Sequence, residues 1–219
     1  MSDHAHSPAG NTRHSRLGGL LHRAVHRRED AQTFNAPGSE TYDRHTRRSL
    51  RGLYRRVARE AAAAAPADGA VLDVGTGPGR LLHALAAQRA DLALTGVDVA
   101  PDMTALARRL AGEAGLGGRL DFRTGDVAVL PCEDASADLV VSTLSMHHWP
   151  DLPAAARELA RVLRPGGHLL IVDFRFAPLR AGLEALRAQP AFAHGRAVRS
   201  PVRGGLPLFA RVQAWTPSA

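Results

Sequence analysis

Three aspartates stand at the ends of three successive apolar runs: Asp73 after Val71-Leu72, Asp98 after Thr95-Gly96-Val97, and Asp126 just beyond Leu120–Thr124. The first opens Asp73-Val74-Gly75-Thr76-Gly77-Pro78-Gly79, with glycines at alternate positions. Glycine admits positive φ and lets a ligand touch bare backbone. A dinucleotide fingerprint is G-x-G-x-x-G, but here Arg80 occupies the position of its third glycine. The chain has no lysine, which excludes a G-x-x-x-x-G-K-[ST] phosphate loop. A pyrophosphate seeks helix amides with no carboxylate beside them, whereas a ligand carrying an ammonium group accepts one. Asp73 therefore favours an amino-acid-bearing nucleotide over a dinucleotide. Asp98 is placed to accept both hydroxyl hydrogens of a ribose. Met103 is placed to pack on a purine face. Asp126 is placed to accept from an adenine amino group, with the Val127 amide beside it. Each acid alone suits a solvated loop or a helix cap; three at three consecutive strand ends are better explained together.

His147 and His148 follow a fourth apolar run, Leu139–Thr143. Imidazole titrates near neutral pH and suits a general base at a rim where substrate enters. The competing reading is a scaffold element in which one histidine bonds backbone, and it is the favoured one. Trp149 reads as packing. Asp173 either caps the fifth strand or touches substrate. Cys132 is the sole cysteine and lacks a clear basic partner, so it reads as an unremarkable thiol, with no disulfide and no metal site.

These residues need strand ends to carry them. Val71–Val74, Leu92–Val97, Leu120–Thr124, Leu139–Thr143 and His168–Phe174 read as strands. Arg80–Arg89, Pro101–Ala114 and Leu152–Leu163 read as helices, the last stopped by Pro165-Gly166-Gly167. The alternation predicts a doubly wound α/β fold, a mostly parallel sheet with helices on both faces. Arg196–Val202 and Leu208–Trp215 predict two final strands, joined as a hairpin around Gly204-Gly205. A helix over Thr41–Ala65 carries the stripe Leu50, Leu53, Tyr54, Val57, Ala58 and Ala61. It is either a lid or a helix packed on the core with its arginines solvated, and the second is favoured. Tyr42 and Tyr54 are candidates for the wall of a substrate pocket. Residues 1–39 read as a disordered polar tail, 40–66 as the N-terminal helix or lid, and 67–219 as the main domain.

The chain has 219 residues, 45% hydrophobic and 22% charged, ordinary values that exclude a wholly disordered or fibrous chain. No run approaches the roughly 20 consecutive apolar residues of a membrane span. No secretory signal is read at Met1–Gly19, and a cytoplasmic location is expected. Net charge is +7, divided as +6 over residues 1–66, −4 over 67–176 and +5 over 177–219. An acidic centre inside a basic wrapper is not the usual pattern of a nucleic-acid reader, which keeps its basic patch on the folded module.

The residues Val71–Gly79, Gly96-Val97-Asp98, Gly125-Asp126-Val127, Asp138–Ser142, His147-His148-Trp149 and Arg161–Gly167 together resemble a class I S-adenosylmethionine-dependent methyltransferase. The resemblance is to the type 11 branch, which includes ubiquinone/menaquinone C-methyltransferases, and it covers about residues 55 to 175. It implies a seven-stranded sheet with the last strand antiparallel and S-adenosylmethionine as cofactor. It implies that Asp73 and the Gly75, Thr76, Gly77 and Gly79 backbone hold the methionine part, and Asp98 with Val99 and Met103 the ribose and purine. Asp126 and Val127 would hold the adenine, while Ser142 and Thr143 face the amino group. The implied partner is a small-molecule methyl acceptor at a carbon, oxygen or nitrogen. Two alternatives stay open. A nucleic-acid methyltransferase is disfavoured because Ser142-Thr143-Leu144-Ser145 lacks an Asn/Asp-Pro-Pro-aromatic segment. The other is a regulatory protein that binds the cofactor without transferring methyl.

Overall fold

The computed structural model describes residues 50–193, 197–201 and 208–218, together with Ser39. Most of the expected tail, Tyr42, the first part of the expected 41–65 helix and Gly204-Gly205 lie outside the described residues.

The chain begins with α1 (Arg51–Ala64) and then alternates: β1 (Ala70–Val74), α2 (Arg80–Ala86), β2 (Ala93–Asp98), α3 (Pro101–Glu113), β3 (Leu120–Thr124). It continues through β4 (Ala137–Thr143), a 3-10 turn at Met146–His148, α4 (Leu152–Val162), β5 (Leu163–Phe174), α5 (Leu179–Arg187), α6 (Pro190–Ala193), β6 (Ala197–Pro201) and β7 (Phe209–Trp215). The seven strands form one sheet in the order β3-β2-β1-β4-β5-β7-β6. β7 runs antiparallel to both its neighbours, and the other pairings are parallel. The expected doubly wound sheet with an antiparallel last strand is therefore present. The chain leaves β1 toward β2 and β3, then returns to the other side of β1 at β4. A crevice outside the carboxyl ends opens at such a reversal.

The strands are Val/Leu-rich because both sheet faces are covered. On one face α1, α2 and α3 pack over Val71, Leu139, Val141, Leu170 and Val172. On the other, α4 and α5 pack over Leu72, Val74, Val140, Leu169 and Ile171. α1 buries Leu53, Val57, Ala58 and Ala61, while Arg51, Arg55 and Arg59 stay exposed. The stripe thus packs on the core, as the favoured reading had it. α3 starts with Pro101, whose missing N–H leaves no bond unmade at a first turn. Asp151 caps α4, its Oδ1 accepting from the Ala154 amide at 2.8 Å.

Two details depart from expectation. β5 starts at Leu163, directly after α4, so Pro165-Gly166-Gly167 lies inside the strand and not before it. Leu163 pairs with Ala137 and His168 with Leu139, so residues between them bulge out of the ladder. Proline has no N–H to give a ladder, and Gly166 takes a φ of 76°. The short helix α6 after α5 was not expected.

Candidate functional site

A cavity of about 410 Å³ opens at the β1/β4 reversal, above the carboxyl ends of β1, β2 and β4. The Gly-rich turn forms its floor. The amides of Gly75 and Thr76 both donate to the Val97 carbonyl, at 2.8 and 3.0 Å, which binds the turn to β2. Gly75 has φ 71°, and a Cβ there would lie 1.9 Å from Ser145 Oγ, so no side chain fits. Gly77 has φ 51° with open space where a Cβ would be, leaving its backbone bare.

Asp98 joins turn and strand. Its Oδ2 accepts from the Gly77 amide at 2.8 Å and its Oδ1 from the Ala100 amide at 3.0 Å. Each oxygen retains a second lone pair for a ligand hydroxyl. Burial raises its carboxyl above the ordinary value, and those two amides oppose the shift. Val99 is exposed, Met103 is buried on the first turns of α3, and both line the cavity. Asp126 turns its Oδ1 to the Ala128 amide at 2.8 Å and lines the far wall with Val127.

The other side is made by the segment after β4. Thr143 lines the cavity, and its buried hydroxyl has no protein partner. Leu144 holds a left-handed φ of 58°, a conformation that costs a non-glycine residue about 1 to 3 kcal/mol and collects at functional sites. Ser145 Oγ accepts from Trp149 Nε1 at 3.0 Å, and both residues reach the cavity. His148 lines the rim and is exposed. Tyr54 of α1 also lines the wall.

Of the residues expected at the site, Gly75, Thr76, Gly77, Asp98, Val99, Met103, Asp126, Val127, Thr143 and His148 meet around this cavity. Asp73, Gly79, Ser142 and His147 do not line it. Asp73 lies beneath the turn, its Oδ2 accepting from Thr76 Oγ1 at 2.8 Å and its Oδ1 buried without a protein partner. Burial pushes its carboxyl up to about 7; Thr76 opposes this and the nearby Asp98 adds to it. Gly79 has already entered the cap of α2, against Phe122. Ser142 neighbours Thr143 on β4, so its side chain faces the opposite side of the sheet. His147 turns away. Its Nδ1 lies 2.9 and 3.1 Å from the two carboxylate oxygens of buried Asp173, and its amide donates to Asp173 Oδ2 at 3.1 Å. Asp173 also accepts from the Phe174 amide at 2.7 Å, so it organises backbone at the end of β5.

Sequence reasoning missed two features. One is the Leu144-Ser145 corner, for which the Ser145/Trp149 spacing of four was the available signal. The other is Arg161. Its guanidinium donates to Glu158 at 2.7 and 2.8 Å, to the Leu130 and Cys132 carbonyls at 3.1 and 2.8 Å, and to Asp134 Oδ1 at 2.8 Å. This clasp fixes the loop that follows Asp126 and Val127. Cys132 does have basic neighbours, yet the reading of an unremarkable thiol stands. Arg123 and Arg161 both lie near that thiol and pull its pKa down, but burial prevails and raises it.

The lining suits an amino-acid-bearing nucleoside: backbone without a side chain at Gly77, carboxylates at Asp98 and Asp126, and an unpartnered buried hydroxyl at Thr143. Among the described residues no cluster of metal-ligating side chains occurs, and no helix is long and apolar enough to cross a membrane.

Comparison with known proteins agrees. The model of a family described as a methyltransferase domain matches residues 72–171. The 27-O-demethylrifamycin SV methyltransferase of Amycolatopsis mediterranei is 39% identical over 115 residues, 52% of this chain and 42% of that protein. The demethylmenaquinone methyltransferase of Deinococcus radiodurans is 38% identical over 124 residues, 57% of this chain and 50% of that protein. The matches thus span half or less of these relatives' length. The fold is that of a SAM-dependent methyltransferase from Aquifex aeolicus, with a TM-score of 0.68 and 21% identity over 84% of this chain and all of that one. Motifs, sheet order and sequence similarity meet on the same residues: 72–171, a little under half of the chain, match the methyltransferase-domain family model, and the fold around them is that of S-adenosylmethionine-dependent methyltransferases.

Proposed function

We propose that this chain is a methyltransferase that uses S-adenosylmethionine and methylates a small molecule. The observation that carries the reading is the convergence of Gly77, Asp98, Asp126 and Thr143 on one cavity at the β1/β4 reversal. Gly75–Gly77 and Thr143 hold the amino-acid end of the cofactor, Asp98 the ribose, and Met103, Asp126 and Val127 the adenine. Asp73 acts one layer below, keeping Thr76 and the turn in place. When bound, the cofactor supplies a methyl group already activated on a sulfonium.

The protein's remaining task is to aim the acceptor and manage its proton. His148 stands at the rim, its ring centroid 4.0 Å from that of His147. In this reading His147, anchored by Asp173, is scaffold, and His148 accepts the proton of a hydroxyl or amine acceptor. The similar proteins named above are methyltransferases of small molecules by their names, which supports an acceptor of that kind. A sole, partly buried cysteine fits a reducing cytoplasm.

The test is incubation of the chain with methyl-labelled cofactor and a metabolite extract. Label should pass to a low-mass product, and His148→Ala should lower that transfer while binding S-adenosylhomocysteine as tightly as the parent. Label passing only to RNA or protein, or to nothing across varied extracts, contradicts the reading.

A further inference from the structure

Where β4 ends, the chain turns a strained corner. Leu144 holds its left-handed φ of 58°, and Ser145 follows it back over the Gly-rich turn. Ser145 Oγ fills the room that Gly75 leaves by lacking a Cβ. Trp149 Nε1 donates to that oxygen at 3.0 Å. This is the one hydrogen bond of Ser145 Oγ among the described residues. It uses a lone pair and leaves the hydroxyl proton to be given elsewhere. A hydroxyl that receives an N–H is polarised into a better donor. Both residues line the cavity.

The rest of this wall is short of donors for an anion. Among the described residues no arginine lines the cavity, the chain has no lysine, and the one ionisable nitrogen base there is the His148 imidazole at the rim. The amides of Gly75 and Thr76 are spent on the Val97 carbonyl, and the Gly77 amide on Asp98 Oδ2. Pro78 has no N–H, and Gly79 gives its own to the Thr76 carbonyl. Thr76 Oγ1 donates to Asp73. The turn therefore offers room but no spare proton. At the exit of β4, Thr143 and Ser145 carry hydroxyl protons that no protein oxygen takes. Of the two, Ser145 sits over Gly75, where the proposed function places the amino-acid end of the cofactor. A bond from a hydroxyl to a carboxylate is charge-assisted, and roughly twice as strong as a neutral one.

We infer that Ser145, its hydroxyl aimed by Trp149, receives the carboxylate of the cofactor's amino-acid end in place of a basic side chain. This rests on the methyl-transfer reading above and gives roles to two residues that it left without one. Titration calorimetry on the full chain compares S-adenosylhomocysteine with S-adenosyl-3-thiopropylamine, the same nucleoside without its carboxylate. Ser145→Ala should weaken S-adenosylhomocysteine by about ten- to a hundredfold and bind the amine as the parent does, which also shows that the variant is folded. Trp149→Phe keeps a ring and loses the N–H. It should weaken S-adenosylhomocysteine alone, by about threefold, and add nothing to the loss in Ser145→Ala when the two are combined. The inference is overturned if Ser145→Ala weakens both ligands alike, as a merely structural serine would, or weakens neither. It is overturned too if the parent binds the amine as tightly as S-adenosylhomocysteine, and the part given to the indole falls if Trp149→Phe equals the parent. Failure of the methyl-transfer reading looks different: the parent itself then binds neither nucleoside.

Discussion

Asp73 and Asp98 end adjacent strands, and their environments divide their work. Asp98 receives two backbone amides and faces the cavity. Its replacement by alanine removes the acceptor for the ligand's hydroxyls and should weaken S-adenosylhomocysteine by about 1.5–3 kcal/mol, the scale of hydrogen bonds to a charged group. Titration calorimetry reads this directly, and unchanged affinity would remove Asp98 from the site. Asp73 has one hydroxyl partner and no counter-charge within the protein's hydrogen bonds. Its carboxyl titrates near 7 in the folded state, against 3.8 ordinarily. Below about 3.8 both states hold the proton and burial is harmless. Between 3.8 and 7 the unfolded chain releases it first, so this residue's contribution to stability falls as pH rises. Half-buried His168 tilts the opposite way: its folded pKa is lowered from 6.5 to about 4, so its charging costs stability as pH falls through that range. The informative quantity is therefore the difference between parent and Asp73→Asn. The variant should gain melting temperature relative to the parent steadily from about pH 4 to pH 7. A constant difference across that range would show that Asp73 is not the buried acid described.

At the scale of elements, α4 does two jobs. Its inner face packs on the sheet, and Arg161 near its end holds residues Leu130–Asp134 by their carbonyls and a carboxylate. Glu158 completes the clasp by accepting from the Leu130 amide at 2.7 Å. The held loop continues from Asp126 and Val127, and its Pro131 packs where Gly125 has no Cβ. Arg161→Met should lower unfolding free energy by about 1–3 kcal/mol in urea titrations, because buried carbonyls lose their donor and Glu158 its partner. It should also weaken S-adenosylhomocysteine. A variant equal to the parent in both would reduce the clasp to a surface ion pair. The strands and helices that build this arrangement were largely legible in the sequence. β3 was read with both its ends because Gly117-Gly118 stand just before Leu120 and Gly125 follows Thr124, and α1 because its stripe has one period. The bulge in β5 was not legible: Pro165-Gly166-Gly167 announces an irregularity but not whether the chain is leaving a helix or looping out of a ladder. The placement of Asp73 and Ser142 outside the cavity was not legible either. A motif gives the order of residues along a strand, whereas which face each side chain takes depends on where the strand's pleat meets its neighbours.

For the whole molecule, the parallel sheet turns its sequence reversal into a crevice, and the chain spends its unusual residues there. Left-handed Gly75 and Gly77, left-handed Leu144 and the unpartnered hydroxyl of Thr143 all surround the cavity. The left-handed Leu144 and the unpartnered Thr143 hydroxyl are unfavourable for folding alone, and a ligand that fills this cavity should stabilise the fold by mass action, about 2.7 kcal/mol at a hundredfold excess over its dissociation constant. Isothermal titration of the folded chain with S-adenosylhomocysteine is the most direct test. The account predicts saturable binding at one site per chain, lost or much weakened in Asp98→Ala and retained in His148→Ala. A folded parent that gives no heat and no thermal shift with S-adenosylhomocysteine, or that binds NAD in its place, would contradict it.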